Sequence, residues 1–191
     1  IQMKRAKKPQ LSNENIEQMF RWIRQSISLM YANHRHPVPM TALIFAYMET
    51  FGKALGETLT QGKVRKFIET FMHGLCNALK QEGLSFSSNV ILNNQEYTIE
   101  KVLGDFYRNG LVHQFWMKKG SALFENKHHY NHRIKAPIKY LWIKQKNSQK
   151  QFIGINIDFL VPDFLNGINE YQNIIMNNTR EKENFSKAIL E

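Results

Sequence analysis

The sequence predicts a mainly α-helical bundle with a C-terminal β-hairpin and a final helix. Three observations carry that expectation. Apolar residues recur every three or four positions in successive stretches between 12 and 111, two runs rich in β-branched and aromatic residues flank the polar KNSQK, and the helical period returns beyond Pro162. With 191 residues, 42% hydrophobic and 22% charged, the chain is long enough to bury one core without disulfide or metal staples.

Residues 1–11, with KRAKK at 4–8, read as a basic N-terminal tail. Ser12 then suits a helix N-cap, Leu11 and Ile16 form a hydrophobic staple around it, and Ile16, Met19, Phe20, Ile23, Ile27 and Met30 give the first helix its stripe. NHRHPVP interrupts, because Pro37 and Pro39 lack amide donors and push their predecessors away from helix, so a turn is expected over 33–39. PMTALIFAYMETFGKALGETL is apolar over more than half its circumference and belongs at the centre of a bundle, with Gly52 and Gly56 allowing another helix to approach closely. After a break near Gln61 and Gly62, a third helix is expected through Val64, Phe67, Ile68, Phe71, Leu75 and Leu79, with Gly83 ending it.

Residues 84–97 lose the period and read as a long loop with a brief strand pair. Thr98 suits the next N-cap, followed by a stripe of Ile99, Val102, Leu103, Phe106 and Leu111. Residues 118–137, rich in Lys, His and Asn, read as an exposed connection, and IKYLWIKQ with QFIGINI as a hairpin. Pro162 fits the first turn of the last helix, with Leu165, Ile168, Tyr171, Ile174 and Ile175 as its stripe. The expected organisation is a tail at 1–11, a bundle at 12–117, a connection, hairpin and helix at 118–176 packed on the same domain, and a polar tail at 177–191.

A net charge of +10, from 26 Lys and Arg against 16 Asp and Glu, favours polyanionic partners, either nucleic acid or an anionic membrane face. Cys76 is the only cysteine, which excludes an intramolecular disulfide and a cysteine-based zinc site and fits a reducing cytoplasm. No apolar run approaches the ~20 residues needed to cross a bilayer, and no secretory pattern opens the chain, so a cytoplasmic protein without a membrane partner is expected.

The candidate chemistry lies in YRNGLVH, residues 107–113. With 8 Arg and 7 His in the chain, chance alone supplies about one such spacing, so the context must decide. On a regular α-helix Arg108 and His113 lie about 140° apart and cannot face one pocket, whereas Asn109 and His113 are only about 40° apart. Either Gly110 breaks the helix or two copies join their motifs across a two-fold axis. The residue types suit RNA cleavage without metal. A near-neutral histidine takes the proton of a ribose 2′-hydroxyl or delivers one to the leaving 5′-oxygen, while arginine holds the phosphate bidentately.

RNGLVH, on a late helix of a bundle, resembles the signature of the HEPN superfamily of nucleotide-binding domains, an Arg followed by a polar residue and, after a short spacer, a His. ALIFAYMETFGKALG is similar to the Glu-bearing second helix of some HEPN families, and the likeness spans roughly residues 12–117. It implies a HEPN-like helical bundle that acts as a homodimer with a composite site, in which Arg108 binds phosphate, Asn109 orients and His113 is the acid-base residue. It also implies a metal-independent endoribonuclease leaving a 2′,3′-cyclic phosphate, serving as a toxin or antiphage effector alongside an antitoxin or regulatory partner. Some HEPN domains instead are non-catalytic dimeric modules that bind nucleotide, RNA or protein.

Neither a cofactor nor a metal is expected. His128 and His132 of KHHYNHR have the i, i+4 spacing of a metal pair, but their setting reads as a basic loop. HRH at 34–36 reads as a turn, and His73 as a surface or core-edge histidine. Trp116, Lys118 and Lys119 would extend an RNA-binding surface, with Phe115 and Trp116 equally suited to packing. Glu49, on an otherwise apolar helix, is expected to pair with an arginine such as Arg108 or to sit exposed.

Overall fold

The computed structural model describes residues 10–33, 37–56, 58, 60–92, 94–109, 121–125, 139–146 and 149–190. They form a mainly helical protein with two small sheets. Helix α1 (Asn13–Ala32) starts where the sequence places it, because the Ser12 hydroxyl accepts from the Asn15 amide at 3.1 Å. Helix α2 (Pro37–Ala54) begins inside the expected turn. Pro37 takes its first position, where a missing amide hydrogen costs nothing.

α2 is buried on most of its surface and packs against helix α3 (Thr60–Phe71). Gly52 makes the close approach possible, since a Cβ there would stand 1.8 Å from the Lys63 carbonyl oxygen. Gly56 does something else. It turns the chain at φ +95° with open space around it.

The expected third helix is two. It breaks at Met72 (φ −104°, ψ 73°), and α4 (His73–Gln81) follows. Asp163, from a distant helix, caps the second piece by accepting from Gly74 and Leu75 amides at 3.0 and 2.8 Å. Gly83, at φ +67°, ends α4 as expected.

The loop expected at 84–97 contains a β-hairpin of β1 (Asn89–Leu92) and β2 (Gln95–Thr98), turned by Asn94 at φ 63°. Thr98 caps the short α5 (Ile99–Lys101) by accepting from the Lys101 amide at 3.2 Å. The chain then winds as a π-helix over Val102–Asn109, where an α-helix is expected.

The second sheet has the order β3-β5-β4. β4 (Leu141–Lys146) and β5 (Gln149–Asn156) form the predicted hairpin, and β3 (Ser121–Phe124) runs parallel to β5 with Ser121 opposite Ile153. β3 corrects the reading of 118–137 as wholly exposed. Its residues are half-buried, and Glu125 beyond it is buried. Leu75, Leu79, Val102 and Leu103 meet Leu141, Ile143 and Ile153 around one small apolar void, so the sheet closes over the π segment and α4.

Helix α6 (Ile157–Asn177) starts five residues before Pro162, because the Asn156 side chain accepts from the Asp158 amide at 3.0 Å and Ile157, Leu160 and Val161 are buried. The polar tail expected at 177–191 is also corrected. Thr179–Leu190 is a helix, α7, with Phe185 fully buried. Phe185 lies 5.7 Å from Phe20 and 5.9 Å from Tyr171, and the Ser186 hydroxyl accepts from the Leu11 amide at 3.0 Å. One apolar stripe turn outweighs the polarity of its neighbours. The tail at 1–11 lies outside the described residues except for Gln10 and Leu11, the latter half-buried.

Candidate functional site

Tyr107 determines where the motif begins. Its side chain is completely buried, its ring stacks on Phe45 of α2 at 5.7 Å and 14°, and its hydroxyl meets the carbonyls of Ile153 at 2.8 Å and Ala122 at 3.1 Å. One residue thus pins the π segment to α2 on one side and to β5 and β3 on the other. Burial pushes the Tyr107 hydroxyl far above its ordinary range, so it stays a proton donor. Tyr107 is absent from the apolar stripe that the sequence suggests; its signal is an aromatic immediately before a polar pair.

Arg108 and Asn109 directly follow this anchor as the last two residues of the π-helix. The backbone here winds as a π-helix, described as far as Asn109, rather than as the regular α-helix on which Arg108 and His113 would lie about 140° apart. His113 lies outside the described residues, as do Gly110, Phe115, Trp116, Lys118 and Lys119.

The π segment rests on α2 and α3. Glu49, one helical turn beyond Phe45, is half-buried and 4.0 Å from the Lys63 ammonium, rather than fully exposed. On α3, Arg65 holds Glu69 at 2.9 Å and Glu100 at 3.4 Å and lies 5.7 Å from the centre of the Phe86 ring. The Glu100 pair links α3 to α5, immediately before the π segment, while the Glu69 pair lies within α3.

Elsewhere the chemistry is structural. His73 is exposed and faces Glu170 at 3.4 Å. The Cys76 thiol is half-buried and pushed up by burial, a poor thiolate former. Tyr31 donates to Asp158 at 2.9 Å, and burial first, then that bond, raises its hydroxyl to about 12. HRH at 34–36 and KHHYNHR at 127–133 lie outside the described residues. Among the described residues no three His, Cys, Asp or Glu side chains cluster as metal ligands, and no helix is long and apolar enough to cross a membrane.

What this arrangement offers is a buried, doubly hydrogen-bonded aromatic directly before Arg108 and Asn109 in the chain. No protein family, curated protein or solved structure matches the chain.

Proposed function

We propose that this protein is a metal-independent endoribonuclease of HEPN type, built on a HEPN-like helical bundle. The observation that supports this reading is the position of Arg108 and Asn109 at the end of a π-helix anchored through Tyr107, with His113 five residues beyond Arg108 in the sequence. π-Helical turns are rare and concentrate at functional sites. The net charge of +10 supports an RNA partner, and Trp116, Lys118 and Lys119 lie within reach of the motif in sequence to extend its contacts.

In this reading Arg108 holds the scissile phosphate and offsets the charge that builds as the ribose 2′-oxygen attacks phosphorus. His113 accepts the 2′-hydroxyl proton or supplies the proton that the leaving 5′-oxygen takes up, and Asn109 orients either partner. The bond from phosphorus to the 5′-oxygen breaks, leaving a 2′,3′-cyclic phosphate and a 5′-hydroxyl. The protein would act in the cytoplasm as a toxin or antiphage effector restrained by an antitoxin or regulatory partner.

Single-stranded RNA incubated with wild type in excess chelator should be cleaved, and His113→Ala should abolish cleavage; equal cleavage by both refutes the assignment. Mixing inactive Arg108→Ala and His113→Ala chains then locates the site. If a homodimer shares Arg and His across its two-fold axis, mixing restores about a quarter of wild-type activity, because half the dimers regain one of two sites. If one chain supplies both residues of a site, mixing restores none.

A further inference from the structure

The sheet of β3, β5 and β4 is apolar on both faces. On one, Leu141, Ile143 and Ile153 meet Val102 and Leu103 of the π segment across the small void. Side chains alternate along a strand, so Trp142, Phe152 and Gly154 belong to the other face, where Trp142 stands opposite Gly154 and Lys144 opposite Phe152. Phe124 of β3 joins them through its place opposite Asn156, two residues beyond Gly154. A sheet with one face on the core ordinarily turns polar side chains outward. This one turns aromatics.

The three rings form one cluster. The Trp142 indole lies 6.0 Å from Phe124 at 71° and 6.3 Å from Phe152 at 80°, so neither phenylalanine lies flat against it. Gly154 lets the cluster close onto the backbone, since a Cβ there would stand 2.9 Å from a ring carbon of Phe124 and 3.2 Å from one of Phe152. The phenylalanines are half-buried, whereas Trp142 is 37% exposed.

Charge on these strands has one sign. Lys144 is exposed and lies two residues from Trp142 on the same strand, about 7 Å along it. β4 and β5 also contain Lys146 and Lys150, and no Asp or Glu occurs in any of the three strands. Glu125, just beyond β3, is buried.

We propose that this face is a stacking platform for single-stranded RNA, with an unpaired base on the Trp142 indole and a neighbouring phosphate paired with Lys144. Exposed aromatic rings take any unpaired base, and lysines beside them hold the backbone. A duplex keeps the faces of its bases in its own stack and gains only the charge. An anionic membrane fits less well, because insertion needs apolar side chains that project ~5–10 Å into the headgroups, and two of these three rings fold down over Gly154. The proposal rests on the nuclease reading only for the choice of RNA over single-stranded DNA. The platform faces away from Val102 and Leu103, so it captures the strand and takes no part in the chemistry of cleavage.

Fluorescence anisotropy of a labelled oligouridylate with the full His113→Ala chain, in chelator, tests it. Trp142→Leu, which keeps an apolar side chain in the sheet, should weaken binding about 10-fold or more, and Trp142→Phe should retain most of it. Trp22→Leu, at an exposed tryptophan of α1, should change nothing. Lys144→Gln should lower the slope of log affinity against log salt by about 0.7. Unlabelled single-stranded DNA should compete and duplex RNA should not. Irradiating the unaltered platform with a 5-bromouridine oligomer should cross-link peptides of β4 or β5, a readout that needs no change at Trp142. Equal binding by Trp142→Leu, cross-links confined to other segments, or duplex competing as well as single strand overturns the proposal. So does Trp142-dependent binding to vesicles of phosphatidylcholine and phosphatidylserine in place of RNA. If His113→Ala binds RNA through Trp142 but wild type cleaves none, the nuclease reading fails and the platform stands; if wild type cleaves and Trp142→Leu binds normally, the platform fails alone.

Discussion

Replacing Tyr107 by Phe removes one oxygen from the centre of the molecule and little else. The ring can keep its stack on Phe45 at 5.7 Å, but the Ile153 and Ala122 carbonyls lose a donor that lies 2.8 and 3.1 Å away in a site closed to water. The hydroxyl has one proton for two acceptors, so one good hydrogen bond is lost, not two. Losing it and leaving a buried acceptor short costs about 1–3 kcal/mol. Both carbonyls belong to strands, whose ladder meets part of their need, so the lower half of that range applies. For a chain of this size 1 kcal/mol lowers Tm by about 2–4 °C, giving a fall of roughly 2–8 °C. Thermal unfolding followed by circular dichroism reads this directly, and a Tyr107→Phe protein that melts like wild type would refute the claim that this hydroxyl anchors the π segment; on the proposed nuclease reading, RNA cleavage well below Tm should fall as well.

Gly52→Ala should be far more damaging than Gly56→Ala. The first drives a methyl to 1.8 Å from a backbone oxygen of α3, costing about 3 kcal/mol or more, whereas the second meets open space and pays only for its positive φ, about 1–2 kcal/mol. Equal melting shifts would contradict the close packing of α2 on α3. In alkali, Tyr31 makes its own contribution to the pH dependence. Its folded hydroxyl is raised from 10.0 to about 12, so the stability it contributes is fully present below pH 10 and is lost as pH rises from there through about 12. Stability measured by urea unfolding across that range should fall less steeply in Tyr31→Phe than in wild type, and parallel curves would dismiss the raised Tyr31 hydroxyl as a contributor.

The helical elements were legible where local signals and burial agreed. Ser12 and Thr98 act as caps because each needs only a backbone amide three residues on. The hairpin of β4 and β5 follows from its two apolar runs and polar turn. What escaped depends on partners far along the chain. The break at Met72 is supported by Asp163 in α6. β3 gains its place from β5, some thirty residues later, and α7 from one phenylalanine among polar neighbours, whose burial site is assembled by α1, α2 and α6. At the motif, the residue types and spacing were visible, but the winding was not. An apolar stripe of Ile99, Val102 and Leu103 is compatible with both α and π turns, and the partners of Tyr107, the carbonyls of Ala122 and Ile153, lie on strands further along the chain.

The π winding makes the motif sensitive to chain length in a way that composition does not reveal. A turn closed by i→i+5 bonds holds one residue more than its α counterpart, so the segment from Val102 to Asn109 behaves as a helix carrying an inserted residue. Deleting a single residue between Val102 and Phe106 would let the backbone relax to i→i+4 bonding and rotate everything after it by about 100°. Tyr107 would leave the carbonyls of Ile153 and Ala122, although no side chain of the motif had been changed. Substitutions around the site can be conservative or not, but its length is under a stricter constraint than its letters.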